Sequence, residues 1–156
     1  MQESGSASSD AAALPARKGA SKRCRVGRSR TGLGLFATAR IEPGARIVEY
    51  TGPRIPASEA TARERRRGSR YMFRIGGGMT IDGSPRSNLA RYANHACRPN
   101  AEAILAGDRV YLRARRTIEP GEEITYHYGR EYFDLFFKDS GCRCATCLQR
   151  PGKARR

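Results

Sequence analysis

The segment Asn94-His95-Ala96-Cys97-Arg98-Pro99-Asn100 is most informative together with Gly121–Tyr128 (GEEITYHY) and Cys142–Cys147 (CRCATC). The first segment places a polar Asn-His pair beside a lone cysteine. The second ends in two tyrosines two positions apart, a spacing that puts both side chains on one face of a strand. The third supplies three thiols, and a tetrahedral metal site needs a fourth. A metal shared by Cys97 and the three late cysteines would fold the chain back on itself and place the Asn-His pair and the tyrosines beside one cleft.

In this order, the segments resemble the SET-domain protein-lysine methyltransferases. The family's Asn-His-Ser-Cys-x-Pro-Asn appears here with Ala96 in place of serine, and its Gly-Glu-Glu-Leu-Thr-Tyr-Asp-Tyr appears with Ile124 and His127. An earlier stretch, Gly32–Ala37 leading to Glu49–Gly52, resembles the N-terminal part of the domain. The resemblance runs from about Arg25 to Cys147.

This resemblance implies an α+β fold that is mostly β, built of several small sheets. It also implies a pseudoknot-like threading in which residues 94–100 meet residues 126–128, and a C-terminal zinc-binding post-SET segment. Pattern reasoning alone would not reach the threading, because threaded chains are rare.

The resemblance also assigns roles to single residues. Tyr128 aligns with the catalytic tyrosine, and Tyr126 with the position that sets how many methyl groups are added. A tyrosine at the latter position favours mono- or dimethylation. Tyr71 aligns with a residue that lines the lysine channel and abuts the cofactor. The residues implied to bind S-adenosylmethionine are Gly32, Leu33, Gly34, Tyr71, Asn94, His95 and Tyr128.

Each of these residues also has a plain structural reading. A strand tyrosine is usually a core residue, an Asn-His dipeptide is usually a loop, and Gly-x-Gly before a strand is usually a turn. Leu33 stands where the family often has an aromatic residue, so a stacking role is lost there. Arg91 is expected to form no more than a structural ion pair. His127 is expected to point away from the two tyrosines and to take no part in catalysis.

The implied reaction is a displacement at the methyl group of a sulfonium, so the cofactor carries the difficult chemistry. The protein must present the lysine amine uncharged, although its ordinary pKa is about 10.4. Burial beside a cation lowers that pKa. No general base is required, and none stands out in the sequence.

Four cysteines form a candidate metal site: Cys97, Cys142, Cys144 and Cys147. Four thiolates around zinc make a closed, structural site that performs no chemistry. The alternative is four free thiols. Cys24 lies outside the set and is expected to be an ordinary strand cysteine.

The chain divides into four predicted segments. Residues 1–21 form a basic arm without periodicity, 22–138 the SET domain, 139–147 the post-SET zinc segment and 148–156 a basic tail. Strands are predicted to begin at Val26 and over 33–37, 46–50, 71–75, 79–82, 103–105 and 109–113. Helices are predicted over 57–67 and 131–138, the latter lying over a cleft, with a helical turn within 88–94. Two Pro-Gly turns are predicted at 41–44 and 118–121.

Composition narrows the partners. Among 156 residues, 30 are Lys or Arg and 15 are Asp or Glu, which gives a formal charge of +15. Such a charge favours acidic partners, including nucleic acid and chromatin-like assemblies, although arginine-rich genome composition alone could produce it. No apolar run is long enough for a membrane span or a secretory signal. The protein is therefore expected inside the cell, in the cytoplasm, nucleoid or nucleus, where five cysteines indicate metal binding rather than disulfides.

Two functions from different classes remain. The first is a zinc-containing, S-adenosylmethionine-dependent lysine methyltransferase that acts on a protein, with a histone or histone-like DNA-associated protein as the expected substrate. The second is a catalytically silent SET-like fold, or a small basic zinc module, that binds nucleic acid or protein. Cofactor binding discriminates between them, because a pure nucleic-acid module should lack it.

Overall fold

Short strands make up most of the regular structure. The computed structural model describes residues 23–68 and 70–149, so the predicted arm and most of the predicted tail lie outside the described residues. The strands are β1 (Cys24–Ser29), β2 (Gly32–Ala37), β3 (Arg46–Tyr50), β4 (Arg54–Pro56), β5 (Met72–Gly76), β6 (Met79–Asp82), β7 (Asn94–His95), β8 (Ala101–Ala106), β9 (Arg109–Ala114) and β10 (Glu123–Tyr126). The helices are α1 (Ala57–Arg67), α2 (Arg130–Phe136) and α3 (Ala145–Leu148), with a 3₁₀ turn at Leu89–Tyr92.

The strands form three small sheets. Their orders are β1-β2-β10-β7, β3-β9-β8 and β4-β6-β5. The predicted mostly β, α+β fold is confirmed. The sequence predicted neither β4 nor α3 as a separate element, and β7 is a two-residue strand that carries no periodic signal of its own.

The threaded segments meet through β7 and β10. These two strands run parallel, with Asn94 opposite Thr125 and His95 opposite Tyr126. Asn100, which is only 3% exposed, holds the junction: its Oδ1 accepts the Thr125 N–H at 2.9 Å, and its Nδ2 donates to the Glu123 carbonyl at 2.7 Å. The predicted contact between residues 94–100 and the segment that begins at Tyr126 is therefore confirmed.

The two Pro-Gly turns have the geometry that their residues demand. In each turn, the residue after glycine donates its N–H to the carbonyl of the residue before proline, at 3.1 Å for 42–45 and 3.0 Å for 119–122. Gly44 and Gly121 have φ of 81° and 82°, the value that the third position of a type II turn requires. The residues just before the turns bridge each other, so the two turns lie side by side.

The helix α1 has the bounds that the sequence predicted. It ends at Gly68, whose left-handed backbone lets its N–H donate to the Glu64 carbonyl at 2.9 Å. Ala60 is its one buried residue, and Arg63 holds it to β6 through an ion pair with Asp82 at 2.6 Å. The helices are short, and none among the described residues is long and apolar enough to cross a membrane.

The core lies between the first two sheets and is aliphatic. Its largest members have essentially no exposed surface and come from β2, β3, β9, β10 and the turn before β10. Burying such side chains contributes about 1.5–3 kcal/mol each. These members are Leu35, Ile47, Val110, Leu112, Ile118 and Ile124, and Ile41, just before the first Pro-Gly turn, is equally buried. Because β10 is anchored in this core, the tyrosines at its end are held in place.

Candidate active site

A small cavity of about 50 Å³, here called the aromatic cavity, opens beside the end of β10. The three tyrosines predicted to be catalytic, Tyr71, Tyr126 and Tyr128, all line it. Its full lining is Tyr50, Arg70, Tyr71, Met72, Phe73, Arg91, Tyr126, Tyr128 and Tyr132. Four segments far apart in the chain thus contribute to one concave, mostly aromatic site, as is common for ligand sites.

Tyr128 is held by its own hydrogen bonds. Its hydroxyl donates to the Ala93 carbonyl at 2.6 Å, and its ring centroid lies 4.8 Å from that of Tyr126. Burial raises the pKa of Tyr128, so its hydroxyl stays protonated at neutral pH. The oxygen of a donating hydroxyl still has lone pairs, so it can accept a hydrogen bond from a ligand.

Tyr126 differs from Tyr128 in having an uncommitted hydroxyl. The residue is 7% exposed, and burial raises its pKa well above the ordinary tyrosine value. Its hydroxyl makes no hydrogen bond to any other residue that the structure describes. A neutral hydroxyl on the wall of a cavity and without a protein partner is available to a ligand.

The predicted cofactor residues of β2 and β7 lie together. The Asn94 side chain donates to the Leu33 carbonyl at 3.0 Å and to the Glu123 carboxylate at 2.8 Å. A Cβ on Gly34 would lie 2.6 Å from that carboxylate and 2.9 Å from the Cβ of Ser29, so a side chain there would force its neighbours to move. The Leu33 side chain is 57% exposed. The structure thus brings Asn94 against the Gly-x-Gly strand 61 residues away in sequence.

His95 links Tyr128 to the cysteines. Burial, with a smaller contribution from His127, lowers the pKa of His95 to about 4, so the ring is neutral at pH 7. Nδ1 accepts the Tyr128 backbone N–H at 3.2 Å, so the ring proton belongs on Nε2. Nε2 lies 3.6 Å from the sulfur of Cys97 and can donate to it. The cofactor-binding role predicted for His95 remains a prediction.

The four predicted metal ligands converge. All four sulfurs of Cys97, Cys142, Cys144 and Cys147 lie within 4.8 Å of one another, and every one of these cysteines is a free thiol. The Cys97 sulfur is 3.8 Å from that of Cys142 and 3.5 Å from that of Cys147. A tetrahedral zinc with Zn–S bonds of about 2.3 Å has sulfurs about 3.8 Å apart. The arrangement therefore fits one zinc ion.

The surroundings shift the pKa values of Cys97 and Cys144 in opposite directions. Burial raises the pKa of Cys97. Burial acts in the same direction on Cys144, but backbone hydrogen bonds to Cys97 and Cys147 outweigh it and lower the pKa of Cys144 to about 7. Four thiolates this close would repel one another without a dication between them. Cys24 is buried in the core from β1 and stands apart from the set, as predicted.

The helix α2 lies over the aromatic cavity, as predicted for residues 131–138. The ring of Tyr132 packs edge-on against that of Tyr128, with centroids 4.8 Å apart. The guanidinium of Arg70 lies 5.1 Å from the ring centroid of Phe136. None of the residues of α2 is buried, although Tyr132 and Phe136 make these contacts. The helix is therefore a thin cover that packs on the cavity through aromatic side chains.

The sequence analysis assigned no site role to six of the cavity residues: Tyr50, Arg70, Met72, Phe73, Arg91 and Tyr132. Arg91 is the most informative, because the ion pair expected for it is wrong. Its guanidinium lies 4.1 Å from the ring centroid of Tyr71, and no carboxylate among the described residues pairs with it. Its Nε is buried without a hydrogen-bond partner in the described part of the chain. Its position three residues before Asn94, in a tight turn, was the available signal.

A second depression of about 430 Å³, here called the side groove, adjoins the aromatic cavity. Phe73 and Tyr128 line both of them. His127 lines the side groove and not the aromatic cavity, and its Nδ1 accepts the Gly129 N–H at 3.0 Å. The other lining residues are Pro99, Ala101, Glu102, Ala103, Arg115 and Gly129.

The fold and the clustered tyrosine and Asn-His segments define a class of protein. Residues 32–129 match the SET domain family. The chain therefore belongs to the SET-domain family, and the resemblance read from the motifs is confirmed.

Individual relatives agree with this assignment. Histone-lysine N-methyltransferase mes-4 of Caenorhabditis elegans is 33% identical over 145 residues, covering 80% of this chain and 16% of its own length. Histone-lysine N-methyltransferase set-2 of the same organism is 43% identical over 117 residues, covering 69% of this chain and 8% of its own. The chain thus spans a small fraction of the length of the curated relatives that it matches.

Solved structures show the same fold. A Polycomb Repressive Complex 2 chain, ctPRC2 in an autoinhibited conformation bound to S-adenosylmethionine, aligns with a TM-score of 0.62 and 34% identity, over 69% of this chain and 15% of that one. The Chaetomium thermophilum complex bound to GSK126 aligns with a TM-score of 0.61 and 34% identity, over 69% and 16% of the two chains.

Proposed function

We propose that this protein transfers methyl groups from S-adenosylmethionine to the side-chain amine of a lysine in a protein substrate. The observation that carries the proposal is the aromatic cavity itself. It gathers Tyr71, Tyr126 and Tyr128, and Tyr126 offers a neutral hydroxyl without a protein partner. The Asn94–Leu33 contact lies one residue from Ala93, which holds the Tyr128 hydroxyl.

The residues present fit the cofactor. Its sulfonium supplies a methyl group that is already activated for transfer. Arg91 has a buried, unpartnered Nε beside Tyr71, and such a donor suits the carboxylate of the cofactor's methionine portion. Asn94, with the backbone of Gly32–Gly34, would hold the remainder. His95 would contribute through its backbone, because both of its ring nitrogens already have partners.

The cavity walls would prepare the incoming amine. Aromatic rings exclude water, which favours the uncharged form of a lysine amine and lowers its pKa. The hydroxyl oxygens of Tyr126 and Tyr128 can then accept hydrogen bonds from the amine and aim its lone pair. Correct alignment of two reacting groups can lower a barrier by about 7–11 kcal/mol.

Tyr126 would also limit the number of methyl groups that are added. Each methyl group on the amine removes one N–H donor and adds bulk. A wall hydroxyl that accepts from the amine favours an amine that still carries hydrogens, so we propose mono- or dimethylation. The Tyr126 ring packs against Tyr128, which leaves it little freedom to move aside.

Zinc would be held by Cys97, Cys142, Cys144 and Cys147 as a structural ion. It would tie the chain after α2 to the segment that carries His95, and so form one wall of the site. His95 would orient Cys97 from outside the coordination shell, as histidines and amides near metal sites commonly do.

The substrate class follows from the relatives. The two curated relatives described above are histone-lysine N-methyltransferases, and a solved structure of ctPRC2 is a complex with H3K27me3 and H3K27M. We therefore propose a histone or another DNA-associated protein as the substrate, in the nucleus or nucleoid. The excess of arginine over acidic residues supports partners in such assemblies, nucleic acid included.

The test is transfer of labelled methyl from S-adenosylmethionine to a panel of DNA-associated proteins, with Tyr128→Phe beside the wild type. The proposal expects label with the wild type and little with the variant. Cofactor binding is measured separately by calorimetry. If neither protein transfers label and neither binds the cofactor, the alternative of a silent SET-like fold or nucleic-acid-binding zinc module takes its place.

A further inference from the structure

The charged side chains that line the two depressions are mostly arginines. The aromatic cavity contains Arg70 and Arg91 and no carboxylate. The side groove contains Arg115, His127 and one carboxylate, that of Glu102. Arg91 is assigned above to the cofactor, so a lysine that enters the aromatic cavity must bring its neighbours past the positive charges of Arg70 and Arg115.

The single carboxylate in the groove is already neutralised. Glu102 pairs with Arg113 on the adjacent strand, with a nitrogen–oxygen distance of 2.7 Å. By contrast, no acidic side chain of the described residues lies within ion-pair distance of Arg70, Arg91 or Arg115. Arg70 and Arg115 are also exposed, so their charges are presented to whatever approaches.

These charges affect neighbouring substrate residues differently according to their sign. An exposed ion pair changes binding by roughly 1.4- to 5-fold, so a few contacts together change it by about ten-fold. A like-charge contact acts in the opposite direction by a similar factor. The overall positive field adds to this preference over longer distances. An arginine-rich segment would be repelled where an acidic segment would be attracted.

From this pattern we infer that the target lysine lies in a segment whose neighbouring residues are acidic or neutral, and not in a run of arginines and lysines. The inference rests on the proposed function and narrows its substrate. Residues that flank the lysine would place carboxylates beside Arg115 in the side groove and beside Arg70 at the cavity mouth. Positive charge at the site itself, and not only on the whole molecule, selects the segment.

The test uses three short peptides that differ only in the residues on either side of a central lysine: glutamate, glutamine or arginine. Methyl transfer and peptide binding by fluorescence anisotropy are measured for each. We expect the glutamate peptide to bind about ten-fold more tightly than the arginine peptide. Equal binding, or tighter binding of the arginine peptide, would overturn the inference.

Charge-reversal variants separate a local effect from a global one. Arg115→Glu and Arg70→Glu should each reduce the preference for the glutamate peptide several-fold. Arg66→Glu on α1 changes the net charge equally but lies outside both depressions, so it should leave the preference unchanged. Equal effects of all three variants would refute the local reading. The local effect would also be refuted if a DNA oligonucleotide displaced all three peptides and the peptides bound with equal affinity.

These measurements keep the two proposals apart. Peptide binding does not require turnover, so the ranking is obtained even if no methyl group is transferred. If no methyl group is transferred but the acidic peptide binds best, the proposed methyltransferase function is contradicted and the inferred preference for acidic flanking residues is supported. If methyl transfer to the arginine peptide is as fast as to the glutamate peptide, the methyltransferase function is supported and the preference for acidic flanking residues is contradicted.

Discussion

Replacing Tyr128 with phenylalanine removes one hydroxyl and tests its two proposed roles at once. The hydroxyl donates to the carbonyl of Ala93, which is 1% exposed, at 2.6 Å. Losing this hydrogen bond leaves a buried carbonyl unpaired, which should lower the free energy of unfolding by about 1–2 kcal/mol. For a domain of this size, the melting temperature should fall by about 3–6 °C.

The effect on methyl transfer should be much larger. Removing one preorganised hydrogen-bonding group from an active site typically costs about 100- to 1,000-fold in rate. A loss of about 1–2 kcal/mol would leave most molecules folded at 25 °C, so lost stability cannot account for such a drop in rate. The assay is single-turnover transfer of labelled methyl, with zinc content and melting temperature measured on the same preparation.

Tyr126→Phe is the matched control. Both tyrosines line the aromatic cavity, but the Tyr126 hydroxyl has no hydrogen-bond partner among the described residues. Its removal should change the melting temperature by less than about 2 °C. If Tyr128→Phe transfers methyl at the wild-type rate, or if both variants lose activity and stability equally, the distinction between the two hydroxyls is refuted.

Four further outcomes are expected. Tyr126→Phe should shift the product toward higher methylation, read by mass spectrometry. Arg91→Gln should weaken cofactor binding at least about ten-fold by calorimetry, because it removes a charged donor. Cys142→Ser should lower zinc from about one atom per chain to near zero, whereas Cys24→Ala should leave zinc unchanged. Burial raises the pKa of Tyr50 and Tyr126, so their contribution to stability is complete below about pH 10 and declines as the pH rises beyond the unfolded tyrosine value. Urea midpoints from about pH 8 to about pH 11 measure this decline.

Each of these outcomes has a result that contradicts it. An unchanged product distribution would remove Tyr126 from the proposed control of methylation state. Undiminished cofactor affinity in the Arg91 variant would mean that its buried Nε serves another purpose. Zinc retained by Cys142→Ser would show that the thiols do not act as a set. A urea midpoint that increases as the pH is raised past about 10 would contradict the decline in stability expected from the buried tyrosines.

Local chemistry made several elements predictable. Proline followed by glycine fixes the dihedral angles of a turn, and both predicted turns formed with positive φ at Gly44 and Gly121. The helix 57–67 was predictable because good helix formers end at a glycine that can adopt the left-handed conformation. The spacing of the cysteines predicted a convergent set, and their sulfurs do converge.

Other features depended on contacts between distant segments. The strand β4 is three residues long and exists because β6 pairs with it, so no periodic pattern announces it. Arg91 looked like the partner of a carboxylate, but the residue that the fold places beside it is Tyr71. A one-dimensional pattern cannot report which side chain arrives from elsewhere in the chain.

By itself, the sequence determined the residue types, the turns, α1 and, through the resemblance of its motifs, the family. The tertiary structure alone determined which residues share the aromatic cavity, that His95 connects Tyr128 to Cys97, and that no free carboxylate lines the site among the described residues. The physical reason is the separation along the chain over which each kind of interaction acts. Turn and helix preferences act within a few residues, whereas a cavity and its charge arise from segments that meet only when β7 and β10 pair in the folded core.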